Sequence, residues 1–190
     1  MTGIAILGSG NVARALAGPL AGRGHRVTIG SRTPDGTRRS YREAARAAEV
    51  VVNALPGEVT TATLKTLEEE LAGKVLVDVS NNARAERIQA ELPRTAVVKA
   101  LNTMHDSLMG SARVTAFVAG NSAAARETVT GLLRDLGKDP IVDLGDLTAA
   151  RWLEDFVAFV PNVLQALGGP LPFGLGIDQD AFVREPGTRR

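Results

Sequence analysis

Short runs of apolar residues alternate along the chain with longer stretches in which apolar positions recur every three or four residues. The runs at 3–7, 27–29, 50–54, 74–79, 96–100, 114–119 and 141–144 read as strands. Helical spacing appears over 12–21, 41–48, 60–71, 84–92, 123–136 and 148–167, as in Val12, Leu16 and Leu20. Strands of nearly continuous Val, Leu and Ala need cover on both faces, which a parallel sheet flanked by helices supplies. With right-handed crossovers this predicts an α/β fold of the Rossmann type, doubly wound around a mostly parallel sheet. One interval is short. Between Arg32 and Val50 only about seventeen residues are available, where a full first half needs helix, strand and helix. The reading is a shortened first half, with one edge strand and its helix missing and the adenine side more open.

The first strand runs into Gly8-Ser9-Gly10-Asn11-Val12-Ala13, a glycine-rich turn that opens a helix. Gly8 permits a tight turn. Gly10 lets the backbone approach a pyrophosphate at the helix N-terminus, where unpaired N–H groups and the helix dipole favour negative charge. Dinucleotide sites of the NAD type carry an acid after the second strand, to bond the ribose 2′-hydroxyl. Here Ser31, Arg32 and Thr33 stand there instead. A hydroxyl with a guanidinium suits a 2′-phosphate, so NADP(H) is favoured over NAD(H), with Arg32 the main candidate. Arg38, Arg39 and Arg42 read as a solvated basic loop more than as phosphate ligands.

Composition narrows the function classes. A net charge of +1, with arginines spread along the chain and a single Tyr and a single Trp, gives no case for nucleic acid. The absence of cysteine removes disulfides, iron–sulfur clusters and thiolate catalysis. No signal-peptide pattern and no membrane-length apolar run is present, which gives the expectation of a cytoplasmic protein with no membrane partner. No His or carboxylate grouping suggests a metal site.

Ligands of such sheets bind outside the carboxyl ends of the strands. Leu55 and Pro56 follow one strand and could floor the ribose or diphosphate, or Pro56 could merely end the strand. Ser80 and Asn81 follow the next and are candidates for the nicotinamide side, with Asn82 as a helix cap. After a third strand come Asn102, Met104, His105 and Asp106. Lys99 could meet a phosphate or simply be solvated. His105 could donate a proton, with Asp106 orienting it, or be a plain loop residue and remain a weak catalytic candidate. His25 sits between the first helix and second strand and reads as structural.

Gly8 to Ala13, Gly30-Ser31-Arg32, Ala54-Leu55-Pro56, the segment Val97-Val98-Lys99-Ala100-Leu101-Asn102-Thr103, and Asp143-Leu144-Gly145-Asp146-Leu147 together resemble the F420-dependent NADP oxidoreductase family, which includes the NADPH:coenzyme F420 reductases and is related to the NADPH-binding domains of STEAP metalloreductases. The resemblance spans Gly3 to about Leu167. It implies that Ser9, Gly10, Asn11 and Val12, on the turn that Gly8 permits, surround the pyrophosphate, that Ser31 and Arg32 hold the 2′-phosphate, and that Leu55 and Pro56 line the diphosphate and ribose. It places Asn102 and Met104 beside the nicotinamide, where a flavin-like ring stacks. The implied chemistry is reversible hydride transfer between nicotinamide C4 and deazaflavin C5, catalysed by proximity and orientation.

These features divide the chain into an NADP-binding Rossmann domain over 1–147 and a C-terminal apolar helix and tail over 148–190, packing on it or on a second subunit. Trp152, Phe156, Phe159, Val160, Val163 and Leu167 form a stripe, widened by Leu153, Val157 and Leu164, which favours a homodimer. Pro161 is expected to bend this helix. The tail after Gly168 reads as a pocket wall, an arm on a partner, or a frayed end. Three functions remain open: an NADPH-dependent oxidoreductase with a deazaflavin or flavin acceptor, a reductase of a small carbonyl or imine, and a non-catalytic NADP(H) sensor or subunit.

Overall fold

Alternate residues of each central strand enter different cores, and that alternation fixes the register of the sheet. The computed structural model describes residues 1–110 and 113–177. In chain order the elements are β1 (Gly3–Leu7), α1 (Asn11–Gly22), β2 (Arg26–Ser31), β3 (Arg39–Ser40), α2 (Tyr41–Ala47), β4 (Val50–Asn53), α3 (Gly57–Lys65), α4 (Glu68–Leu71), β5 (Val75–Asp78), α5 (Ala85–Glu91), β6 (Ala96–Ala100), α6 (Asp106–Met109), β7 (Ala116–Gly120), α7 (Ala123–Asp135), β8 (Ile141–Asp143) and α8 (Ala150–Ala166). The eight strands form one sheet in the order β3-β2-β1-β4-β5-β6-β7-β8.

Ile4, Ile6, Val50, Val52, Val77 and Val98 face α1 and α7, packing on Leu16, Leu20, Val129 and Leu133. Ala5, Leu7, Val51, Leu76 and Val97 face the other way, onto Ala44, Leu64, Leu71 and Ile88. All strand pairs are parallel except β6–β7. A parallel return needs a long crossover, usually a helix. Between β6 and β7 the described chain offers only the single turn α6, and β7 runs back antiparallel.

The first half is shortened, and no helix lies between β2 and β3. The edge strand is reduced to two residues rather than lost: Arg39 pairs with Gly30 and Ser40 with Ser31. A two-residue strand is too brief to leave a periodic signal. In place of the helix, Asp35 accepts hydrogen bonds from the Thr37 and Arg38 amides, both at 2.8 Å, and closes a tight turn. The helix read over 60–71 is two helices. It starts earlier, at Gly57, and breaks where the Thr66 amide bonds the Thr63 carbonyl at 3.1 Å, one residue short of helical spacing.

α8 follows a 3₁₀ turn, Leu147–Ala149, whose Leu147 amide donates to Asn121 Oδ1 at 3.0 Å and whose Thr148 amide donates to the Asp146 carboxylate at 2.9 Å. Pro161 lies within α8 without ending it. Only Ala150, Leu153 and Val160 of this helix are buried, whereas Trp152 and Phe159 are 69% and 60% exposed. No helix among the described residues is long and apolar enough to cross a membrane. The charged stretch 184–190 lies outside the described residues.

Candidate functional site

The carboxyl ends of β1, β2, β4, β5 and β6 share one edge of the sheet, and the turns that leave them build the site. At the first turn Gly8 has φ +125°, and a Cβ there would stand 2.6 Å from the Ala54 carbonyl oxygen. Backbone conformation and close approach both require glycine. Gly10 is the N-cap of α1, makes no side-chain cap, and no acid occupies the first turn. A Cβ on Gly10 would meet nothing within 4 Å. The first-turn amides therefore open onto free space with the positive end of the helix dipole behind them, which suits an anionic group. Ser9, Asn11 and Val12 border this opening. Arg14, which the sequence reading missed, folds back to donate to the Ser9 carbonyl at 3.2 Å and to Asn11 Oδ1 at 2.5 Å. The signal was the Asn11-to-Arg14 spacing, one helical turn.

At the end of β2, Ser31 is buried and its Oγ accepts from the Thr33 amide at 3.2 Å. Arg32 is exposed and its side chain has no partner among the described residues. The neighbouring arginines differ. Arg38 is held by Asp35, whose carboxyl lies far below the usual carboxylate range, chiefly through that bond and then through Thr37. Arg42 donates to Glu70 Oε1 at 2.6 Å and to the Thr66 carbonyl at 2.8 Å, and Arg46 joins it on Glu70. Burial raises the Glu70 carboxyl, but the two guanidinium groups outweigh it and hold it below its ordinary value. Arg39 stays exposed on β3. An anion near Ser31 thus meets Arg32 without a hydrogen-bonded partner, with Arg39 likewise exposed on the neighbouring strand.

Pro56 is exposed at the start of α3, while the Leu55 side chain lies in the core. The next residue, Gly57, is the tightest point of the site. A Cβ there would fall 1.8 Å from the Asn81 carbonyl oxygen, so the turns after β4 and β5 touch only because this residue is glycine. The sequence reading did not single it out, although Leu-Pro-Gly after a strand was the cue.

Beneath these turns lies a buried polar cluster. Lys99 and Asp78 are fully buried, and Lys99 Nζ donates to Asp78 Oδ2 at 2.8 Å and to the Ser80 carbonyl at 2.5 Å. Asp78 Oδ1 accepts from Asn53 Nδ2 at 2.7 Å and from the Ser80 hydroxyl at 2.7 Å. Glu154 of α8 approaches Lys99 to 3.6 Å. Lys99 is therefore neither a phosphate ligand nor a solvated strand end. The Ser80 hydroxyl is turned to Asp78, and what this turn offers a ligand is its backbone. Asn82 does not cap α5; it adopts φ +63°, and the first amide of α5, on Ala85, donates instead to Glu154 Oε1 at 2.8 Å.

After β6 the chain turns through Leu101 at φ +64°, an uncommon conformation for a non-glycine residue that tends to occur at functional sites. This turn tucks Asn102 under α8, where its Nδ2 donates to the Leu153 carbonyl at 2.8 Å. Asn102 Oδ1 is buried without a partner. Met104 is buried in the core. His105 is exposed, and its Nδ1 accepts from the Ser107 amide at 3.3 Å as the cap of α6. The Ser107 hydroxyl lies 2.9 Å from the same nitrogen. Asp106 approaches Nδ1 to 3.1 Å. His25 bonds Asp135 at 3.0 Å, far from the site, and is structural. Among the described residues no group of three or more His, Asp or Glu could hold a metal ion.

The family model described as NADP oxidoreductase, coenzyme F420-dependent, matches residues 3–82. A provisionally named F420-dependent NADP-reductase from Arthrobacter sp. FB24 superposes with a TM-score of 0.86 at 36% identity, over 94% of this chain and 100% of that one. Metalloreductase STEAP3 of Rattus norvegicus is 35% identical over 80% of this chain and 35% of its own length. F420-dependent NADP reductase of Methanocaldococcus jannaschii is 28% identical over 60% of each chain. The chain thus spans about a third of the length of the curated metalloreductase it matches.

Two glycines of the site separate folding from binding. Gly57→Ala is expected to lower stability by about 3 kcal/mol, because backbone must move to admit the methyl group. Gly10→Ala is expected to melt like the parent while binding a dinucleotide about tenfold more weakly, because its methyl group fills space the protein leaves open. Urea unfolding and nucleotide titration of both variants check the contrast.

Proposed function

This chain belongs to the F420-dependent NADP oxidoreductase family, and from that premise we propose that it is a cytoplasmic enzyme transferring hydride between NADP(H) and a planar ring acceptor, a deazaflavin such as coenzyme F420 or a flavin. The observation that carries the cofactor is the open, uncapped N-terminus of α1 together with the unpartnered Arg32 beside Ser31. The α1 amides, with Ser9, Gly10, Asn11 and Val12, would hold the diphosphate, and Ser31 with Arg32 the 2′-phosphate. Pro56 and the backbone at Leu55 and Ser80 would border the ribose and nicotinamide. The loop from Asn102 to Met104 would set the nicotinamide's position.

The nicotinamide supplies the hydride. One hydride leaves NADPH, the acceptor ring takes it together with one solvent proton, and NADP⁺ remains. The protein's work is to bring two rings together and to exclude water, so no protein nucleophile is needed. A second reading, reduction of a small carbonyl or imine, is favoured by one observation: His105 is exposed on the loop after β6 with Asp106 at 3.1 Å from its Nδ1, an arrangement suited to donating a proton to a substrate heteroatom.

We also propose a homodimer through α8. Trp152 and Phe159 on α8 and Leu167 just beyond it are exposed apolar side chains, and a second copy presenting the same face would cover them.

Rapid mixing of the protein and NADPH with oxidised F420, FMN or FAD tests the first reading. Bleaching of a ring acceptor at the expense of NADPH is expected. If every ring stays oxidised while NADPH binds, the reading falls, and small substrates for His105 or a sensing role take its place. Arg32→Asp should weaken NADPH binding at least tenfold more than NADH binding, since it exchanges the phosphate's partner for a repelling charge; equal losses would remove Arg32 from the phosphate site. Light scattering should give a two-chain mass for the parent and a one-chain mass for Phe159→Glu. A one-chain parent would end the dimer proposal.

A further inference from the structure

The chain does not leave the site after α8. It turns at Gly168 and Gly169, both at positive φ, and runs back along the loop that follows β6. The His105 amide donates to the Phe173 carbonyl at 2.8 Å, and the Leu175 amide donates to the Thr103 carbonyl at 2.9 Å. These two bonds bracket an antiparallel bridge between Met104 and Gly174. Further on, the Ile177 amide donates to Thr115 Oγ1 at 2.9 Å. The returning segment is thus a strand-like strap on the loop proposed to set the nicotinamide's position.

Its register decides what it presents. Met104 and Gly174 point to the same side, toward the core. A Cβ at Gly174 would stand 3.0 Å from Val114 Cγ1, a close approach to a side chain of the core's edge. Phe173 then points to the opposite side, with His105, and the two rings meet edge to face with centroids 6.3 Å apart at 74°. Phe156 of α8 closes the group, 6.4 Å from Phe173 at 53°. Phe156 stands one helical turn beyond Leu153, whose carbonyl holds Asn102. Neither ring pair is stacked face to face, and Phe156 and Phe173 are both only half-buried. Three rings set at angles to one another thus stand at the carboxyl end of β6, where this class of sheet binds its ligands.

We propose that Phe173, with Phe156 and His105, forms the wall of the second-substrate site and selects a flat heteroaromatic acceptor. This rests on the hydride-transfer reading above. A planar ring gains apolar burial and edge or face contact against such a corner, whereas a small carbonyl or imine substrate gains little. The strap gives the acceptor site this wall, and Phe173 is its specificity-determining residue.

The test is equilibrium binding of oxidised F420 and of FMN, followed by their own fluorescence, to the full-length protein saturated with NADP⁺. The parent is compared with Phe173→Leu, which keeps an apolar anchor for the strap, and with Phe173→Ala and Phe156→Ala. Phe173→Leu should weaken acceptor binding about tenfold and raise the acceptor KM in parallel, with NADPH affinity and melting temperature unchanged. Acceptor affinity within twofold of the parent would overturn the proposal. So would an equal loss of NADPH affinity, which would make Phe173 an anchor of the strap and nothing more. Should Phe173→Ala fail to fold, Phe173→Leu and Phe156→Ala carry the comparison. A parent that binds NADPH but neither ring acceptor would instead overturn the hydride-transfer reading, an outcome separable from the others because it appears before any substitution is made.

Discussion

The buried Lys99–Asp78 pair is the constraint on which the site depends. Two charges withdrawn from water are tolerable only if every remaining donor and acceptor is engaged, and breaking such a pair by removing one partner costs about 3–5 kcal/mol. Here the requirement recruits Asn53 from the end of β4, Ser80 from the turn after β5, and Glu154 from α8. Three strand ends and the last helix are thereby held in one arrangement. Because Glu154 also takes the first amide of α5, and Asn102 takes a carbonyl of α8, the helix is fixed over the sheet edge by polar bonds rather than by its apolar stripe. That division explains how α8 can bury only three of its residues and still be well placed.

The phosphate side follows a different logic. Four arginines follow β2 within eleven positions, yet two of them are spent on Asp35 and Glu70. What matters to a ligand is the cations left without a hydrogen-bonded partner, and the fold leaves Arg32 in that state beside a buried serine, with Arg39 exposed on the neighbouring strand. The short interval before β4 achieves this by replacing a helix with a turn closed on Asp35, which keeps Arg38 bound to its own loop.

Local chemistry was legible in the sequence and distant pairing was not. The turn at Gly8 to Ala13 declares itself because glycine, strand and helix stand side by side, and the alternation of Ile4, Ala5, Ile6 and Leu7 forecasts two cores. The sequence directs attention to the strand ends, but the fates of Asn53, Lys99 and Asn102 there depend on partners twenty or more residues away. Nothing near Lys99 announces Asp78, and nothing near Asn82 announces that Glu154 would cap α5 in its place. Gly57 was passed over because its reason, the Asn81 carbonyl, lies on another turn. The two-residue β3 and the strap at 173–175 escaped for a common reason: backbone pairing that short leaves no periodic trace in side chains.

The outer strands of the sheet carry a consequence for how this molecule meets others. At one margin stands β3, two residues long and bearing the exposed Arg39; at the other stands β8, three residues long and ending on Asp143. Such brief, charged margins give an incoming chain almost no unpaired backbone to extend, a common protection against ribbon-like stacking and aggregation. The sheet is in effect self-terminating, and crowding a solution of this protein should bring helical surfaces, not strand edges, into contact.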